Sequence, residues 1–172
     1  MAVRRVLMVG RFQPFHMGHL LVLRRIAKRF DSIILGIGSA QYSHTEENPF
    51  TAGERVEMMV EALRADGIGA CYVIPMEDIH EHGRWVAHVE SLVPRFSAVA
   101  TNNPLNQQLF KEEGYDVVST PLYDRKKFSG SVIRKRILAG KPWKGLVPPV
   151  VARIIGEIGG VERIRRITAV DE

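Results

Sequence analysis

The chemistry-bearing residues of this chain concentrate in one short stretch, Gly10-Arg11-Phe12-Gln13-Pro14-Phe15-His16-Met17-Gly18-His19, between an apolar run at 6–9 and a helical pattern that sets in at Leu20. Two imidazoles three residues apart share a face once a helix begins. The helix N-terminus adds unpaired backbone N–H groups and a partial positive charge. Arg11 brings a planar fork of donors to the same turn. Such a set suits an anion, most simply a polyphosphate. A second stretch, Ser129-Gly130-Ser131-Val132-Ile133-Arg134, places a hydroxyl cap at a helix start and an arginine one turn inside it, a second grip for phosphate.

Between these stretches lie groups suited to an organic ligand. Gly38-Ser39-Ala40-Gln41-Tyr42-Ser43-His44 forms a polar loop after an apolar segment, where a nucleotide site would have its wall. Asp78, Ile79 and His80 close a later apolar segment, and Trp85 follows in a loop. An indole face stacks on a cationic ring, and a carboxylate holds ribose or amide groups. Asn103 is a further ribose candidate. The six histidines show no thiolate partners and no H-E-x-x-H spacing, so a zinc site is not expected, and no GxxxxGK[ST] string marks a P-loop.

The elements that must position these groups alternate. Apolar runs at 3–9, 32–37, 71–74, 97–100 and 116–119 predict five strands. Leu23, Ile26, Ala27 and Phe30 recur at helical spacing, as do Val56, Met59, Val60 and Leu63 behind a Thr51–Glu54 capping box that Gly67 ends. Val86, Val89 and Leu92 predict a helix after the Trp85 loop. Asn103-Pro104 predicts a capped helix ending before Gly114. Helices at 133–138 and around Val151–Ile158 follow a strand-rich first part. This alternation predicts a doubly wound parallel sheet, with ligands outside the carboxyl ends of the strands.

Length fits one domain with a proper core. Net charge is +5, with a pI near 9.6, but the arginines are scattered. The runs around Arg24 and Arg163–Arg166 read as solvated helix faces, which favours a nucleotide over nucleic acid. Cys71, the one cysteine, reads as a small core residue. No apolar stretch approaches the roughly 20 residues that cross a bilayer, and the first apolar run is too short for a signal peptide, so a cytoplasmic protein is expected.

His16, Gly18 and His19 stand in the three fixed places of the HxGH signature, and the chain resembles the nucleotidylyltransferase superfamily there. The longer GRFQPFHMGH string is similar to the nicotinamide mononucleotide (NMN) adenylyltransferases of the archaeal type, as are GSAQYSH and NPFTAGER, the latter ending in Glu54 and Arg55. Residues 129–134 resemble the family's ISSTxxR signature. The resemblance covers essentially the whole chain. It implies a Rossmann-like five-stranded α/β domain over 1–172, with a helical C-terminal part from about 131.

The resemblance also implies the reaction of ATP with NMN to NAD and pyrophosphate, with Mg²⁺ or another divalent cation brought by ATP. No nucleic acid or membrane is expected as partner, and a homo-oligomer, often a hexamer in archaeal relatives, is. Carried over residue by residue, His16, His19, Arg11 and Arg134 act on the transferring and leaving phosphates. Gly10, Phe12, Gly18, Ser129 and Ser131 bind ATP. Ser39, His44, Asp78, Ile79, His82, Trp85 and Asn103 bind NMN, Trp85 by stacking. The chain departs from the family pattern at Phe128 (often isoleucine), Gly130 (serine), Glu47 (arginine in some relatives) and His82 (often an asparagine on the carboxamide). Two other readings stay open: another HxGH transferase, such as one acting on phosphopantetheine, and a nucleotide sensor without turnover.

Overall fold

The protein is described by a computed structural model over residues 3–121 and 123–169. Strands β1 (Arg5–Gly10), β2 (Ser32–Ile37), β3 (Cys71–Pro75), β4 (Ala98–Ala100) and β5 (Asp116–Val118) form a five-stranded sheet in the order β3-β2-β1-β4-β5. Every neighbouring pair is parallel; β1 and β2 run in register from Arg5 opposite Ser32 to Gly10 opposite Ile37. Parallel strands need crossovers, and helices supply them on both faces. The crossovers are α1 (Met17–Ile26), α2 (Ala52–Ala65), α3 (Trp85–Leu92) and α4 (Pro104–Glu112), and α5 (Gly130–Leu138), α6 (Pro149–Glu157) and α7 (Gly160–Thr168) follow β5.

Strand periodicity sorts the core into two layers. Val6, Ile33, Leu35 and Ile37 face one side, where α1, α2 and α5 to α7 deliver Leu23, Ile26, Met58, Met59, Ile133, Ile137, Ile154 and Ile164. Leu7 and Ile34 face the other, against Val86 and Val89 of α3 and Phe110 of α4. β2 is buried along its whole length, as a strand covered on both faces must be. The strand order reverses between β1 and β4. Their carboxyl ends therefore part to leave a crevice, the place where such sheets take ligands.

Three sequence expectations need correction, at α1, Trp85 and Arg163. α1 begins at Met17 rather than Leu20, because the His16 ring caps it. Trp85 is the first residue of α3 and not part of a loop. The helix expected around Val151–Ile158 is α6, and Gly159, at φ 67°, separates it from α7. Arg163 is no solvated cation: it forks onto Glu54 Oε2 at 2.6 Å and Oε1 at 2.8 Å, fastening α7 to the start of α2. Cys71 is half-buried, and burial pushes its thiol up to about 11, so it is no nucleophile at neutral pH.

Candidate nucleotide site

The turn after β1 is shaped by Phe12, a bulky residue held at φ 51°, where such side chains are rarely found. Its ring turns inward, 2% exposed, and meets the His19 ring edge-on with centroids 4.8 Å apart. His19 in turn stacks on His16 at 3.5 Å and 20°. The two imidazoles also close a reciprocal cap: the His16 N–H donates to His19 Nδ1 at 3.2 Å, and the His19 N–H donates to His16 Nδ1 at 3.4 Å. With both Nδ1 atoms accepting, each neutral ring keeps its proton on Nε2 and retains one donor.

Electrostatics points the same way. Burial pushes His16 down from 6.5 to about 4, and burial together with the neighbouring His16 holds His19 well below 6.5. Both rings are therefore neutral donors at physiological pH. Rates measured with saturating substrates, corrected for titration of the substrate phosphates, are expected to show no step near the ordinary imidazole range between about pH 5 and 8. A limb near 6.5 assigned to either ring by its NMR titration would contradict this. The fold's stability follows the same sign. The share owed to the neutral His16 ring is complete above 6.5 and declines as the pH falls toward 4, and that of His19 likewise declines below 6.5.

Gly18 packs beneath this pair. A Cβ there would sit 2.9 Å from Phe128 Cβ and 3.0 Å from His16 Cε1, so the glycine admits the second phosphate stretch against the first. Ser129 caps α5 through a 3.3 Å bond from the Val132 N–H, and its hydroxyl lies 3.2 Å from that of Ser131. Arg134 donates Nη1 to the Gln13 carbonyl at 2.7 Å. Burial, and then Arg11, lower its affinity for a proton, while Glu47 and Glu46 oppose that trend. Cations gathered and partly desolvated in this way favour an arriving anion.

These groups line one cavity of about 580 Å³ at the carboxyl ends of β1 and β4, shared by Arg11, Phe12, His16, Gly18, His19, Asn103, Ser129, Ser131 and Arg134. Asn103 lines this cavity rather than the one shared by the other NMN candidates, and its Oδ1 caps α4 by accepting the Asn106 N–H at 3.1 Å. A second cavity of about 190 Å³, between α3 and α4, takes Asp78, Ile79, His82 and Trp85. There the Trp85 Nε1 is buried with no partner among the described residues. Three candidates line neither. Gly10 lies under the Phe12 ring and gives its carbonyl to the Gly38 N–H. Ser39 is buried and bonded to Asp78 through N–H at 3.0 Å and Oγ at 2.6 Å. His44 is exposed and meets the Ser43 hydroxyl.

Two framework residues escaped the sequence reading of the site. Asn102 clamps Thr120, accepting its N–H at 3.0 Å and donating to its carbonyl at 2.7 Å, so the ends of β4 and β5 stay together at the cavity wall. Arg55, fully buried, donates to the carbonyls of Thr51, Arg11, Gly38 and Ser39 at 2.9–3.2 Å. It ties the turns after β1 and β2 to the cap of α2. Tyr123 and Arg125 also line the larger cavity.

A family profile described as cytidylyltransferase-like matches residues 7–136. The nicotinamide-nucleotide adenylyltransferase of Picrophilus torridus is 53% identical over 168 residues, covering 98% of this chain and 99% of that protein. The chain belongs to the nicotinamide-nucleotide adenylyltransferase family. A second enzyme of that name, from Archaeoglobus fulgidus, is 49% identical over 172 residues, with 97% and 99% covered. Among solved structures, a bifunctional NMN adenylyltransferase/ADP ribose pyrophosphatase of Francisella tularensis, complexed with AMP and a Mn ion, superposes with a TM-score of 0.79 at 20% identity. It covers 98% of this chain, which spans about half (52%) of that bifunctional protein, so the likeness reports the fold. Nicotinic acid mononucleotide adenylyltransferase of Plasmodium falciparum gives a TM-score of 0.65 at 13% identity, with 94% and 98% covered. The nicotinamide-nucleotide adenylyltransferase family thus accounts for both signatures and for the sheet that carries them.

Proposed function

We infer that this chain transfers the adenylyl group of ATP to NMN, giving NAD and pyrophosphate. The carrying observation is identity near 50% along the whole chain to enzymes of that name, with both phosphate stretches on one cavity. The NMN 5′-phosphate oxygen attacks the α-phosphorus of ATP in line. The new P–O bond forms as the bond to the β-phosphate bridging oxygen breaks, and pyrophosphate leaves with that electron pair. The substrate carries its own nucleophile, so the protein has only to align the two phosphates and stabilise charge.

In this reading His16 and His19 donate Nε2–H to phosphate oxygens, while Arg11 and Arg134 neutralise the charge growing on the leaving group. Ser129 and Ser131, at the start of α5, hold the β- and γ-phosphates. Phe12 and Gly18 shape the turn against ATP. A divalent cation, Mg²⁺ in this proposal, enters as part of the ATP substrate. No cluster of three or more His, Cys, Asp or Glu among the described residues could hold it independently, and Mg²⁺ commonly binds through substrate phosphates and water.

The smaller cavity receives nicotinamide over the Trp85 ring, with Asp78, Ile79 and His82 around it. Trp85→Ala is expected to raise KM for NMN about tenfold and to leave KM for ATP within about twofold, since stacking of a cationic ring is worth roughly 1–2 kcal/mol. Equal changes in both constants would remove the stacking role. Among the described residues no helix is long and apolar enough to cross a membrane. We propose that the enzyme is a homo-oligomer, which sedimentation of the purified protein tests, and that it works in the cytoplasm, as the resemblance implies.

The reaction itself is tested by pyrophosphate release with ATP and Mg²⁺, supplying NMN, nicotinic acid mononucleotide or phosphopantetheine in turn and identifying the product by mass. NAD formed only with NMN supports the assignment. Turnover with phosphopantetheine alone would move it to another substrate, and nucleotide binding without release would make the protein a sensor.

A further inference from the structure

Gln13 lies in the phosphate turn, 4% exposed, and is spoken for on both sides. Its side-chain amide pairs with the backbone of Phe50: Nε2 donates to the carbonyl at 2.9 Å, and Oε1 accepts the N–H at 3.0 Å. Its own carbonyl accepts Nη1 of Arg134 at 2.7 Å, across 121 positions of sequence. Phe50 is an unyielding partner. It is fully buried, and its neighbours are pinned from α7, where Arg163 donates to the Pro49 carbonyl at 3.1 Å and forks onto Glu54 of the α2 capping box. The Gln13 peptide is thereby fixed by its side chain, and the carbonyl that receives Arg134 is fixed with it.

Gly130 completes the arrangement. A Cβ at this position would lie 2.8 Å from the Gln13 carbonyl oxygen and 2.9 Å from Arg134 Nη1, wedged into the contact between them. Any residue with a Cβ would meet the same obstruction. Arginine has several free torsions and five donors. Committing one donor to a fixed carbonyl sets the direction of the planar fork and leaves the other donors for phosphate.

We propose that Gln13 is a positioning residue for adenylyl transfer, its carbonyl aiming the Arg134 guanidinium through a contact that glycine at position 130 admits. This role rests on the reading that Arg134 faces the phosphates. It accounts for a buried amide that has no place in the chemistry, and for a glycine where any Cβ would press on the contact. The C-terminal helix α7 becomes the outer brace of the same assembly, through Arg163.

The test measures kcat, KM for both substrates and Tm for Gln13→Met, Gly130→Ala, Arg134→Lys and the Gln13→Met/Arg134→Lys double variant. Gln13→Met is expected to lower kcat about tenfold while KM for NMN stays within about twofold, the pattern of a misaligned transition-state group. Gly130→Ala, which leaves the pairs to Phe50 in place but presses on the Gln13 backbone carbonyl, is expected to lower kcat by a similar factor and to lower Tm as well. In the Arg134→Lys background, Gln13→Met should cost nothing further in kcat. A lowered Tm with kcat unchanged, or the same factor lost in both backgrounds, would overturn the proposal. If Gln13→Met does not fold, Gly130→Ala decides: an unchanged kcat rejects the role. A wild-type protein silent with ATP and NMN would instead reject the functional reading on which it stands.

Discussion

His19→Ala is expected to lower kcat for NAD formation by roughly 10²-fold or more, the loss found when one preorganised donor to a transition-state oxyanion is removed. The geometry makes the cause separable from simple damage, because the ring has two jobs on two nitrogens. Nδ1 accepts the His16 N–H at 3.2 Å and so belongs to the helix cap, leaving the Nε2–H as the donor for phosphate. Asparagine reproduces the position of Nδ1 and glutamine that of Nε2. His19→Asn should therefore keep Tm and lose kcat, and His19→Gln should recover part of kcat at a lower Tm. An alanine variant with unchanged kcat, or an asparagine variant as active as glutamine, would withdraw the phosphate role and leave only the cap.

The difference between what was legible in the sequence and what was not follows the range of the forces involved. β2 was readable to the residue, because a strand covered on both faces must be apolar throughout. The start of α2 was readable because Thr51 and Glu54 satisfy each other within three positions. The helical pattern alone starts α1 three residues late, since histidine is not a usual cap and its capping depends on a second ring stacked beside it. The two phosphate stretches were visible one by one, each with a local signature. Their meeting, the Cβ-free passage between Gly18 and Phe128, depends on contacts more than a hundred residues apart. Arg163 looks solvated in sequence for the same reason: its partner, Glu54, is 109 positions away, and nothing in its own helix announces it.

Arg55 is the extreme case of a site residue whose importance is invisible locally, and its replacement carries the largest expected effect on stability. The guanidinium is fully buried, and burial brings it down from 12.5 to about 10, against the pull of Asp78, so it remains charged at neutral pH. Four carbonyls take the place of an anion around it, two of them, Arg11 and Gly38, on a single nitrogen at 2.9 Å. Arg55→Met fills much of the volume but leaves buried carbonyls without their donors. Losing charged hydrogen bonds of this kind costs about 3 kcal/mol or more. For a chain of this size that corresponds to a fall in Tm of roughly 6–12 °C. Arg55→Lys keeps the charge but cannot span all four carbonyls, so it should fall between the two. Because the same carbonyls belong to the turns that carry Arg11 and Ser39, the loss should appear in activity before unfolding: at temperatures where Arg55→Lys is fully folded, kcat should already be reduced. A methionine variant with the wild-type Tm would show that the carbonyls find other partners, and that the turns after β1 and β2 hold their places without the buried cation.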